Sequence, residues 1–71
     1  MIDTLDQELL NAHERGDKSA LVTLYSQAAE AATSDDAKYF YMTHAFIFAL
    51  DVGHPNANLL RAELIAAGRE A

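Results

Sequence analysis

Apolar and polar positions recur with a helical period in four stretches, set apart by glycines and one polar break. The first stretch predicts a helix over residues 5–14, with Leu5, Leu9 and Ala12 on one face and Leu10 alongside. Thr4 stands at its N-cap position and Gln7 three residues on, the spacing of a capping box, and Ile2 is placed to staple onto the first turns. Asp6 and Glu8 put negative charge near the positive end of this helix. Gly16 supplies the stop, because glycine enters the left-handed region cheaply. A second helix is predicted over residues 18–32, capped by Asp17. Leu21, Leu24, Tyr25, Ala28 and Ala32 share one face, and Thr23, Ser26, Gln27 and Glu30 the other. The run Ala28-Ala29-Glu30-Ala31-Ala32 has little bulk, so another helix can approach closely there. Thr33-Ser34-Asp35-Asp36 breaks the pattern, and Ser34 or Asp35 caps the next helix.

The third helix, predicted over residues 37–52, is apolar around most of its circumference. Tyr41, Ala45, Phe48, Ala49 and Val52 form one broad side, which Met42, Phe46 and Leu50 continue. Only a strip with Thr43, His44 and Asp51 is polar, bordered by Phe40 and Ile47. The aromatic run does not alternate strictly and is bracketed by caps, so a strand does not fit it. A helix this widely apolar is either buried centrally or covered by another chain. Phe40, Phe46, Ile47 and Leu50 are the candidate interface residues. Gly53 ends this helix, and Pro55 opens the fourth at the first helical position, where its missing N–H costs nothing. In the fourth helix Leu60 and Leu64 point one way with Ala57 and Ala67 beside them, Leu59, Ala62 and Ala66 lie on the far side, and Gly68 is the stop. Arg69, Glu70 and Ala71 are expected to fray. The short link Gly53-His54 makes the third and fourth helices an antiparallel hairpin. The expected fold is all-α, a single domain over residues 1–71 built as a compact bundle or orthogonal array of four short helices.

Several of these positions resemble tetratricopeptide-type helical hairpins, including the shorter variants. Tyr25 and Ala28, three apart before a polar turn, are similar to the large and small contact residues of those repeats. Ala45, Ala49, Gly53 and Pro55 are similar to the end of such a helix and the proline after its turn. The resemblance spans residues 17–68 in outline, but the Leu-Gly pair near a repeat start is missing and the chain shows no internal repeat of the usual length. It implies a protein-binding surface rather than catalysis. Generic alanine-rich helix packing accounts for the same residues.

Composition narrows the function further. A chain of 71 residues buries only about 60% of its extended surface, so its core is small. Cysteine is absent, which removes disulfides and thiolate metal sites and agrees with a cytoplasmic home. Eleven acidic and five basic residues leave a net charge of −6, which repels a phosphate backbone. Asp3, Asp6, Glu8, Glu30 and Glu63 are the acids that would meet a basic partner. No basic segment precedes an apolar one at the N-terminus, so a signal peptide is not expected. The apolar run over residues 39–50 is too short to cross a bilayer. The expected partner is protein, either a second copy or another chain, with no direct nucleic-acid or membrane contact.

The chain offers no catalytic constellation, no metal-ligand pattern and no cofactor motif. His44 lies mid-helix with Asp51 two turns on, aligned but out of reach. With Tyr39 or Tyr41 it would form a proton-transfer group, yet no nucleophile completes the set, and a half-exposed histidine satisfied by water or a carboxylate explains it. Asp51 and His54 stand one turn apart across a helix end, and His13, Glu14 and Asp17 would join them only through tertiary proximity. Asp35-Asp36 lacks the alternating ligands and glycine of a calcium loop. Asn56, Asn58 and Arg61 sit beside Glu63, a poor set for reading DNA. An interaction or self-associating module is the first reading. An acidic regulator of a basic protein is the second, and a ligand-binding or enzymatic domain centred on His44 the third.

Overall fold

The computed structural model describes residues 4–69. The Ile2 staple, the Asp3 carboxylate and the fraying expected of Glu70 and Ala71 lie outside the described residues, whereas Arg69, expected to fray with them, is held by its N–H bond to the Leu64 carbonyl at 2.9 Å and by Asp36. Four helices follow one another: α1 (Thr4–Arg15), α2 (Lys18–Ala31), α3 (Asp35–Val52) and α4 (Ala57–Ala66). Thr4, expected as a cap, is already the first residue of α1.

Local chemistry sets the helix ends. The Asp17 carboxylate accepts from the Ala20 N–H at 3.1 Å and opens α2. The Ser34 hydroxyl accepts from the Ala37 N–H at 3.2 Å. Ser34 is therefore the cap of α3, and Asp35 and Asp36 become its first turn, where their charges face the positive end of the helix dipole. Gly53, at φ 65°, turns the chain out of α3. Its N–H reaches the Leu50 carbonyl at 3.3 Å, and the His54 N–H reaches Ala49 at 2.8 Å. These bonds satisfy two carbonyls that the end of the helix would otherwise leave open. The same pair of bonds recurs around Gly16 and Gly68.

The start of α4 differs from the expected one. Pro55 does not open the regular helix, which begins two residues later at Ala57. His54 instead organises a tight turn: its Nδ1 accepts from the Asn56 N–H at 3.1 Å and its carbonyl accepts from the Ala57 N–H at 3.1 Å. The fixed φ of Pro55 suits this turn as well as it suits a helix.

Packing follows the small residues. Ala45 and Ala49 on α3 are fully buried, and Ala28 and Ala29 are buried on α2, so side-chain bulk does not hold these helices apart. Val22, Met42, Leu60 and Leu64 fill the core around them. Among the described residues, backbones come within 8 Å only between consecutive helices. The Lys18–Asp51 ion pair at 3.0 Å joins the start of α2 to the end of α3, and Arg69–Asp36 at 3.1 Å joins the end of the α4 segment to the start of α3. Both pairs fit antiparallel neighbours, so α3 and α4 form the expected hairpin. The molecule measures 34 × 28 × 16 Å. Its thinnest dimension is that of two packed helix layers, at roughly 8–10 Å between axes. No helix among the described residues is long and apolar enough to cross a membrane.

Candidate interaction surface

With α2 and α4 packed on the side of α3 that carries Met42, Ala45 and Ala49, the opposite side is met only at its edge, where Tyr25 and Lys18 of α2 reach His44 and Asp51. At about 100° per residue, Phe40, His44, Ile47 and Asp51 fall within roughly 60° of one another on that side, and Leu50 flanks them. Phe40 is 58% exposed, Ile47 51% and Leu50 59%. One exposed apolar side chain is ordinary. Three along a single helix face form a stripe of the kind that marks contact with another molecule. The two acids on the same face, Asp36 and Asp51, are paired within the chain by Arg69 and Lys18, so the stripe is locally close to neutral.

Phe46, the fourth expected interface residue, is less open than the other three. It is half-buried and packs against the core cluster, on the flank of α3 away from Ile47. The sequence pattern does not separate it from the other three, because a helix apolar almost all round does not announce which residues its neighbours cover.

The polar strip carries a structural network. His44 Nδ1 lies 2.9 Å from the Phe40 carbonyl, and a carbonyl only accepts, so Nδ1 holds the proton. The partner of Nδ1 is thus a carbonyl of its own helix rather than the expected water or carboxylate. The His44 ring sits 4.5 Å from the Phe40 ring and 5.2 Å from Tyr25. Tyr25 stacks on Phe48 at 5.9 Å, and its hydroxyl is hydrogen-bonded to His13 Nε2 at 2.8 Å. One cluster therefore ties α1, α2 and α3 together. Tyr39 stands away from His44, with the charged groups of Arg69 and Lys38 over its ring at 5.0 and 5.4 Å.

The other site candidates are not brought together. Asp51 pairs with Lys18, His54 caps the turn before α4, and Asp17 caps α2. Among the described residues no group of three His, Asp or Glu side chains converges. The pair His13–Tyr25 escaped sequence reasoning because it joins two helices. Its members appear in the sequence only as the end of one amphipathic helix and the middle of the next.

Burial pushes the Tyr25 phenol above its usual value, and the neighbouring Tyr41 acts in the same direction. A phenol with a raised folded-state value keeps its proton after the unfolded chain has lost it. Its contribution to stability is complete below about pH 10 and is lost as pH rises through the folded value. The Tyr25→Phe variant is expected to show a shallower loss of stability than the parent between neutral and strongly alkaline pH, as read by urea unfolding. Parallel curves would show that Tyr25 does not contribute to the alkaline loss.

On the inner side, α2 and α4 both lean on α3 without meeting each other, and a groove of about 320 Å³ opens between them. Met42 and Leu60 line it with Leu59, and Glu30 and Glu63 come from the two flanking helices. A more open depression of about 450 Å³ lies between α1 and α2, lined by Glu8, Asn11, Arg15, Thr23 and Leu24. In comparison with known proteins, the chain matches no family model, no curated protein and no solved structure.

Proposed function

We propose that the chain is a protein-interaction module that associates with a second copy of itself through the outer face of α3. The observation that carries this reading is the exposed stripe of Phe40, Ile47 and Leu50 on a helix face that α2 touches only at its edge, through His44 and Asp51. A single helix face suits a twofold contact, in which the same patch serves both partners. Internal pairing of Asp36 and Asp51 supports a second copy over a charged partner, because two such faces meet without opposing bare carboxylates. The likeness to tetratricopeptide hairpins belongs to the same proposal, in which the hairpins are a scaffold for the surface. Its support is the packing of each helix only on its chain neighbours. Catalysis at His44 has no part in this reading, because the ring hydrogen-bonds to its own helix and packs among aromatic side chains.

The test is mass against concentration, by sedimentation or native mass spectrometry, for the parent and for the Ile47→Asp/Leu50→Asp variant. The parent is expected to show a dimer that the variant loses while keeping its helical circular dichroism. A parent that stays monomeric at high micromolar concentration overturns self-association. A dimer that survives the double substitution moves the contact off this face.

A further inference from the structure

We infer that the groove between α2, α3 and α4 is a second docking site, and that its occupant is a cationic amphipathic segment of another protein. Its floor is apolar: Met42 and Leu60 are buried core residues whose outer surfaces line it, while Leu59 stands 59% exposed at its side. Its flanks are acidic. Glu30 on α2 and Glu63 on α4 take part in none of the ion pairs or side-chain hydrogen bonds among the described residues. The groove continues past Lys38, Met42 and Glu63 into an adjoining hollow of about 290 Å³ that reaches Tyr39 and Ala67. Lys38, which lines this channel, holds its ammonium 5.4 Å from the centre of the Tyr39 ring, and the Arg69 guanidinium lies 5.0 Å from the same ring while pairing with Asp36.

An apolar floor between unpaired carboxylates selects its ligand. A purely apolar helix would strip water from Glu30 and Glu63 without replacing it, and an acidic segment would be repelled. A segment with apolar residues along one face and Lys or Arg beside them satisfies both, because the long basic side chains lay their methylenes on apolar surface and carry the charge to the rim. A second copy of this chain is a poor source. Of its five basic residues, Arg15, Lys18 and Arg69 are already paired and Lys38 lies in the groove itself, which leaves Arg61. The site is thus distinct from the α3 outer face and takes a different partner.

The experiment titrates the full chain with a synthetic helical peptide of leucines on one face and lysines flanking them, with a glutamate-for-lysine peptide as control. Saturable binding of the lysine peptide alone is expected, weakening with added salt. Glu30→Gln/Glu63→Gln is expected to weaken it roughly tenfold, from two partly exposed charge pairs. Asp6→Asn/Glu8→Gln makes the same change in net charge outside the groove and is expected to leave affinity within about twofold of the parent. Equal weakening by both double variants, or equal binding of the two peptides, overturns the proposal. The Ile47→Asp/Leu50→Asp variant is expected to bind the lysine peptide as the parent does. Loss of binding in that variant places the peptide on the outer face and overturns the groove reading while the surface of α3 keeps its role. A monomeric parent that still binds through Glu30 and Glu63 has the opposite meaning.

Discussion

Leu64→Ala is expected to cost about 2–5 kcal/mol of folding stability. Leu64 is among the largest side chains with essentially no exposure, and it anchors α4 in the cluster formed by Val22, Ala29, Met42, Ala45, Ala49 and Leu60. Truncation removes buried methyl groups and leaves a hole that a two-layer molecule has little material to close. A domain of this length holds only about 4–11 kcal/mol in total, at roughly 0.05–0.15 kcal/mol per residue. The variant therefore retains a small margin or none. Urea unfolding followed by circular dichroism measures the loss. A change below about 1 kcal/mol would mean that α4 is not part of the cooperative core. The backbone of α4 approaches only α3, so Leu60 and Leu64 are its main hold on the rest of the molecule. The Arg69–Asp36 pair adds little, because it is exposed and screened by solvent.

The helices were legible because their signals are local. Asp17, Ser34 and the three glycines act within a few residues of themselves, and each places an end of a helix within two residues of the expected position. The buried alanines were legible for a related reason: small residues spaced along a helix mark where another helix can approach. What the pattern did not carry is which neighbour covers which part of α3. Nearly every direction around that helix is apolar, so periodicity gives no contrast, and only the placement of α2 and α4 separates Met42 from Ile47. The start of α4 was missed through a competition between two uses of one residue. Pro55 fits a first helical turn, but His54 offers Nδ1 to the Asn56 N–H and holds a separate turn there. The His13–Tyr25–Phe48 cluster and the groove beside Glu30 and Glu63 depend on three helices at once, and no window along the chain contains them.

Phe46 and Ile47 give the sharpest contrast, because adjacent positions on one helix are expected to answer the same substitution in opposite ways. Phe46→Asp places a carboxylate against the apolar core cluster that Phe46 packs on. Loss of the aromatic packing alone is worth about 3–5 kcal/mol for a fully buried ring, somewhat less for one only partly buried, and the desolvated charge adds to it. The expected result is a largely unfolded chain, seen as lost helical circular dichroism and lost cooperativity in urea. Ile47→Asp exchanges a half-exposed side chain for a soluble one on the open face, where surface substitutions change stability by about 0.5 kcal/mol or less. Helicity is expected to persist, so any loss of mass in that variant reports on association and not on folding. If Phe46→Asp instead stays folded and only its assembly changes, Phe46 faces a partner and the core is smaller than the packing of α2, α3 and α4 implies. If Ile47→Asp unfolds the monomer, the outer face of α3 is covered within the chain and the argument for self-association loses its surface.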